Sequence, residues 1–365
     1  MENNTTIYEW ITENGSDNYY ADFPAFEQPS KWGFWIKFVL TPIIVFAGIV
    51  GNVLSLIVMK SKALRHKSYS QYLSALAIFD TLTLLIRQIR IIDEYSSDTW
   101  ESNTIFRKFD DFGCKAFNFI EHIAYLMSSW LIVMMALERL LAVWFPFKKF
   151  ILRRRSGATW AIVLLFLGLS LSQVFRLVMV KKIDTVTCGA IDSFWELYVN
   201  LHMYFYNMSL TFILPVGFVL VCNGMVLYQI FKVRREILQQ DKDKRSRFNR
   251  PIRKSHRTTS MLLIVSFTFL GTLLPLLTMS LVFDLVLKSR GRKDAFSLYL
   301  AITPYMEVAA VLSLVNYAAN FYIYILSGKN FRFELRKVFN RQRTTSRSFT
   351  YKSSKETREE VIRLW

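Results

Sequence analysis

The chain has 365 residues, 52% of them hydrophobic and 16% aromatic, and carries a formal net charge of +18. That is too apolar for an ordinary soluble protein of this length. The apolar residues recur in stretches of about 20, the length of helix that crosses a ~30 Å hydrocarbon core. A surplus of base would point a soluble protein toward nucleic acid, but the placement of the charges along this chain excludes that partner.

Residues 1–30 hold six acids and no Lys or Arg. They also hold Asn3-Asn4-Thr5, Asn4-Thr5-Thr6 and Asn14-Gly15-Ser16, so Asn3, Asn4 and Asn14 are glycosylation acceptors if this segment lies outside the cell. No basic region followed by an apolar stretch opens the chain, so a cleaved signal peptide is not expected. Seven spans are expected, near Phe38–Met59, Ser70–Ile92, Phe112–Val143, Thr159–Val180, Trp195–Ile230, Ser260–Leu287 and Leu298–Leu326. The second is interrupted by Asp80, Arg87 and Arg90. Spanning helices satisfy their own backbone groups, which open sheets in lipid cannot do. The fold class is therefore an all-α membrane protein, a seven-helix bundle.

The connecting segments alternate in charge. Lys60, Lys62, Arg65 and Lys67 follow the first span without an acid, and Lys148, Lys149, Arg153, Arg154 and Arg155 follow the third. Eleven Lys or Arg between Lys232 and Arg257 follow the fifth. The segment Asp93–Asp111 is the reverse, with six acids against Arg107 and Lys108. Basic loops stay cytoplasmic, so the N-terminus is expected outside and the C-terminus inside. The basic surplus then faces anionic lipid heads and cytosolic partners. Cys114, at the outer start of the third span, and Cys188, in the outer loop after the fourth, share an oxidising compartment that permits a disulfide. Cys222, within the fifth span, reads as a small buried apolar residue. The segment Lys181–Cys188 partly alternates and is rich in β-branched residues, as in one strand of a hairpin.

The third span ends in Met-Met-Ala-Leu-Glu-Arg-Leu-Leu-Ala-Val-Trp-Phe-Pro (134–146), where Glu138 and Arg139 follow a run free of charge from Ile123 to Leu137. Other motifs stand in order around it. Gly51-Asn52 lies in the first span and Leu76-Ala77-Ile78-Phe79-Asp80 in the second, and Cys114 precedes Arg139 by 25 residues. Trp160, Pro215, Phe269 with Pro275, and Asn320-Phe321-Tyr322-Ile323-Tyr324 lie in the fourth to seventh spans, followed by Gly328-Lys329-Asn330-Phe331-Arg332. From about Phe38 to Phe339 this ordered set resembles the rhodopsin-like (class A) G-protein-coupled receptors, and the whole chain resembles invertebrate neuropeptide receptors. Leu140, Phe321, Leu273, Thr272 and Asn223 depart from the family's usual residues.

The resemblance implies a plasma-membrane receptor divided into an N-terminal extracellular segment (1–36), the bundle (37–327), a short amphipathic helix on the membrane surface (328–340) and a disordered cytoplasmic tail (341–365). It implies that Glu138 holds Arg139 at rest and that Arg139, Asn320 and Tyr324 serve the switch that couples to a heterotrimeric G protein. No acid lies between Arg250 and Ser260 to back up Glu138. The resemblance implies no cofactor beyond an allosteric sodium ion held by Asp80, Ser128, Asn316 and Asn320. The Ser/Thr-rich tail would take phosphate from receptor kinases and recruit arrestin.

An ionisable residue inside a span needs a partner or a use. Arg87 and Arg90, three apart on one face of the second span, Glu121 and His122 in the third, Asp284 near the end of the sixth and Glu307 in the seventh are therefore ligand candidates. Tyr125, Phe175, Tyr204, Tyr206 and Phe283 are candidates for the walls. Two readings stay open: Arg90 and Glu121 neutralise each other, or the charges form a polar floor where a carboxylate meets a cationic ligand group and an arginine meets a carboxylate or carbonyl. Glu121 stands where amine receptors carry Asp, so a small amine is the alternative to a peptide. The seventh span has no Lys from Tyr299 to Ser327, which excludes a retinal Schiff base. The four His lack metal spacing, and no enzyme motif, transporter-type repeat or pore motif is present.

Overall fold

A computed structural model describes residues 31–99, 108–145, 154–182, 188–239, 263–282, 285–286, 292–327, 331–338 and 340. Asn3, Asn4, Asn14, Phe283, Asp284, the basic stretch 250–260 and the tail 341–365 lie outside these residues. Six helices among the described residues are long and apolar enough to cross a membrane: Trp32–Met59, Asp111–Trp144, Arg155–Met179, Asp192–Val233, Leu263–Val282 and Leu300–Ala318. The helix Ser68–Thr99 is the remaining span. Asp80, Arg87, Arg90, Asp93 and Glu94 dilute its apolar character, yet it is as long as the others and packs between the first and third spans.

The first span shows why the bundle belongs in lipid. Gly33, Lys37, Thr41, Val45, Gly48, Asn52 and Ser55 are buried at a spacing of three to four, so they share one face. Val39, Ile43, Phe46, Val50, Val53 and Ile57 lie on the opposite face and are exposed. The outward face is thus more apolar than the inward one, the reverse of a helix in water. Small residues let the backbones approach closely. A Cβ on Gly33 would collide with the Pro304 carbonyl oxygen of the seventh span. A Cβ on Gly48 would meet Leu84 at 2.5 Å and Ala318 at 2.8 Å. The third span runs through the middle, packed on the second, fourth and fifth. Its buried residues Leu126, Met127, Leu131, Ile132 and Met135 join Phe269 and Leu273 of the sixth span in the main core.

Three spans are less regular than expected. The fourth, read as Thr159–Val180, is helical over Arg155–Ser172, turns at Gln173 and resumes as Val174–Met179. The fifth, read as Trp195–Ile230, is assembled from Trp195–Asn200, a π-helix Leu201–Ile213 and Leu214–Gln239. In the π register Leu210 O would face the N–H of residue 215, which a proline lacks, and it instead accepts the Trp130 indole N–H at 3.0 Å. The seventh span divides into Arg292–Ala318 and Asn320–Ser327. Close to that break, Asn52 Nδ2 donates to Tyr317 O at 3.2 Å.

The expected hairpin is present, but its strands differ. Lys181 and Lys182 end strand β1 (Val180–Lys182), and Cys188 opens strand β2 (Cys188–Ala190). The strands are antiparallel, with Lys181 opposite Gly189. The disulfide Cys114–Cys188 ties β2 to the head of the third span, with Cα atoms 5.6 Å apart. The Lys182 backbone N–H adds a bond to Asp111 Oδ1 at 2.7 Å. Cys222 is a buried free thiol. Residues 331–338 form a helix whose Phe331 packs edge-on to Phe321 and Tyr324.

Candidate functional site

The end of the bundle opposite the disulfide carries the Glu-Arg pair. Glu138 is buried, and Arg139 Nε lies 2.8 Å from Glu138 Oε2. Sequence reading missed two further restraints. Ser68 Oγ donates to Glu138 Oε1 at 2.8 Å, and Arg139 lies 5.3 Å from the centre of the Tyr69 ring. Ser68 opens the second-span helix, so the carboxylate also sits where a helix dipole favours negative charge. The signal was present in Ser68-Tyr69-Ser70 at a helix start, but nothing local says which carboxylate such a start would receive.

Midway along the bundle, Asp80 is fully buried and joins three spans. It accepts from Ser128 Oγ at 2.6 Å and from Asn320 Nδ2 at 2.6 Å. Asn316 is buried one turn before Asn320. Asp80 and Ser128 supply a carboxylate and a hydroxyl, while Asn320 turns its amide nitrogen toward Asp80. Asn52 Oδ1, Thr83 Oγ1 and Tyr324 OH are further buried oxygens without a hydrogen-bond partner, the donor type that the expected sodium ion would take. Among the described residues there is no cluster of three or more His, Cys, Asp or Glu that suits a metal.

Toward the disulfide end the predicted charges converge, and most are already paired. Arg90 Nε donates to Glu121 Oε1 at 2.7 Å, and the same guanidinium makes a second bond through its terminal nitrogen to Glu121 Oε2. Glu307 is 2.6 Å from Lys37 Nζ, and Lys37 also reaches both Glu94 oxygens at 2.9 Å. Lys37 and Glu94 were missed: Lys37 sits near the head of the first span, where a lysine ordinarily reads as a flank that snorkels to the interface. It is instead 6% exposed. Arg87 lies beside Tyr125 and within the field of Glu121 and Glu307. The structure therefore shows the internal pair, with Glu121 holding Arg90 and Glu307 holding Lys37.

His122 lies apart from this floor and faces the fifth span. Its Nδ1 is 2.6 Å from Asn118 O, and its ring meets His202 and Tyr206 edge-on, with centroids 5.4 and 4.7 Å away. Phe175 and Tyr206, expected as walls, pack on Arg176. Arg176 itself, fully buried in the last turn of the fourth span, was not foreseen.

A helical bundle that buries its polar residues, joined by a disulfide at one end and a Glu-Arg pair at the other, defines a multi-pass membrane protein of the receptor type. Residues 51–324 match the family described as 7 transmembrane receptor (rhodopsin family), and the chain belongs to that family. It is 26% identical over 59% of its length to a galanin-like G-protein coupled receptor (npr-9) of Caenorhabditis elegans, covering 50% of that protein. It is 24% identical over 84% of its length to the thyrotropin-releasing hormone receptor of Gallus gallus, covering 78% of it. It is 23% identical over 82% of its length to neuropeptide receptor 18 of Caenorhabditis elegans, covering 65% of it. The chain thus spans between half and about four fifths of the length of these relatives. The family consists of signalling receptors, not enzymes.

Proposed function

We propose that this protein is a plasma-membrane receptor for a neuropeptide, with its N-terminus outside the cell, and that it transmits agonist binding to a heterotrimeric G protein. One observation carries the ligand class: Lys37, Arg87, Arg90, Glu94, Glu121 and Glu307 gather at the disulfide end in a network of both signs. A peptide presents amines, carbonyls and carboxylates together and can exchange partners with such a network. A small amine needs one open acid, and Glu121 holds Arg90 with two bonds. The names of the similar receptors, galanin-like, neuropeptide and thyrotropin-releasing hormone, support the same class.

In this reading the agonist shifts a pre-existing equilibrium. Glu138 and Ser68 hold Arg139 in the resting state, and their release presents Arg139 to the G protein. Asp80, Ser128, Asn316 and Asn320 would hold sodium at rest, with the ion supplying a fixed positive charge between the second, third and seventh spans. The basic segments face the cytosol, residues 328–340 lie on the inner membrane surface, and the tail 341–365 receives phosphate from receptor kinases and recruits arrestin. Asn3, Asn4 and Asn14 carry glycans outside. The test is a peptide-library screen on cells expressing the receptor, read as calcium release through a promiscuous G protein. A peptide response is expected. Silence to every peptide with a response to a small amine would overturn the ligand class and leave the family standing.

A further inference from the structure

Lys37 and Arg90 each meet a carboxylate within their spans, as does Arg139 near its cytosolic end. Arg176 does not. It is fully buried, and among the described residues no carboxylate lies within ion-pair distance of it. Glu121, which acts on it electrostatically, is held by Arg90. A guanidinium cannot shed its charge, and a buried charge without a counter-charge inside a membrane protein marks a function rather than packing.

Its surroundings are neutral acceptors and rings. Nε donates to Gln173 Oε1 at 2.9 Å, one terminal nitrogen donates to Asn118 Oδ1 at 3.3 Å and Tyr198 OH at 3.1 Å, and the other donates to His202 Nδ1 at 2.9 Å. The Tyr206 and Phe175 rings stand 4.5 and 4.8 Å from its central carbon and hold the plane of the fork by cation–π attraction. Tyr198, His202 and Tyr206, spaced four apart, stack as a ladder, with Tyr198–His202 5.8 Å apart at 5° and His202–Tyr206 5.6 Å apart at 12°. Gln173 belongs to the same turn as Arg176 and fixes its aim. Tyr198 and His202 come from the fifth span, at the entry to the π-helix. They cover the terminal nitrogens with acceptors far weaker than an anion.

We propose that Arg176 is an anion-recognition residue: a carboxylate of the agonist displaces Tyr198 and His202 from the guanidinium and takes two of its N–H groups at once. A planar carboxylate matches the fork in a two-point, charge-assisted bond that neither a phenol nor an imidazole can make. The ladder then shifts as a unit, which carries the event along the fifth span to Tyr206 and across to His122 of the third. The source of the carboxylate rests on the peptide-receptor reading; the site itself does not.

The purified receptor in lipid nanodiscs is unfolded by heat in sodium acetate or acetamide at ionic strength held with sodium chloride. Acetate, and not acetamide, is expected to raise the midpoint saturably. Arg176→Gln should abolish the rise. Tyr198→Phe, which removes one competing acceptor, should reach the same rise at about one third of the acetate concentration, the size expected for one weak hydrogen bond. A staple joining the third, fourth and fifth spans predicts lower stability in both variants with no change in the acetate response. That result, or no acetate response in the unaltered receptor, overturns the proposal even if Arg176→Gln fails to fold. For any active peptide, two analogues separate the sources: one amidated at its C-terminus, one with side-chain carboxylates changed to amides. The parent should lose at least tenfold in potency on Arg176→Gln, and the analogue without the recognised carboxylate should respond equally on both receptors. A library without peptide agonists sinks the peptide reading, whereas the acetate response decides Arg176 independently.

Discussion

Glu138 shows how much one side chain is asked to do. It takes the Ser68 hydroxyl on one oxygen and Arg139 on the other, so a change in charge and a loss of hydrogen bonding can be separated. Glu138→Gln keeps an oxygen for Ser68 and removes the ion pair. Under the proposed mechanism it raises agonist-free signalling, by up to about tenfold if the pair is worth ~1.4 kcal/mol, while Arg139→Ala lowers agonist-driven signalling. Ser68→Ala should act in the same direction as Glu138→Gln, because it removes a hydrogen bond to the carboxylate worth about 1.5–3 kcal/mol. Nucleotide exchange at matched surface expression checks all three, and unchanged basal exchange in Glu138→Gln counts against the latch. Asp80→Asn removes the only carboxylate of the proposed sodium set and should abolish the sodium dependence of agonist binding. Equal responses to sodium in the two proteins would sink that assignment.

At the scale of the element, the fifth span depends on the third for a donor it cannot make. Trp130→Phe keeps a smaller aromatic ring and leaves Leu210 O without the indole N–H. A loss of about 1–2 kcal/mol is expected, read as a lower midpoint in thermal unfolding of the purified protein. The first and seventh spans depend on the absence of side chains. Gly48→Ala must push Leu84 and Ala318 aside, an overpacking cost of roughly 1–3 kcal/mol. Gly168→Ala is the matched control. Its Cβ would meet nothing within 4 Å, so stability should hold or rise slightly. Equal losses in both variants would show that the close approach at Gly48 is not what holds these spans together.

Across the whole molecule, Lys37 binds the first, second and seventh spans through Glu94 and Glu307. Lys37→Met removes the cation that Glu94 and Glu307 share. Breaking a fully buried pair costs about 3–5 kcal/mol. Both glutamate side chains keep 24% exposure, so roughly 2 kcal/mol is the better expectation. Lys37→Met combined with Glu307→Gln should recover part of the loss in thermal stability, because one of the two carboxylates left without that cation is gone. Failure of the double variant to recover would mean that Lys37 acts through packing alone.

The number of spans, the two cysteines able to pair and the family's motifs were legible in the sequence, because each rests on something local: about 20 apolar residues in a row, a cysteine at a helix head, a motif in its order. Asp80 with Ser128 and Asn320 was also legible, since the motifs that carry them are the family's own. The pairing of Arg90 with Glu121 was legible as one of two readings. That Ser68 receives Glu138, that Trp130 serves Leu210, that Lys37 is a buried clasp and that Arg176 is a buried cation among neutral groups emerges once the spans pack together. Each of these joins residues from different spans. Helix period fixes which face a residue lies on, but the rotation and depth of one helix against another follow from packing across the bundle. A lysine at a helix head and an arginine near a helix end read alike in sequence as flanks in water. Their burial became visible only when the neighbouring spans closed around them.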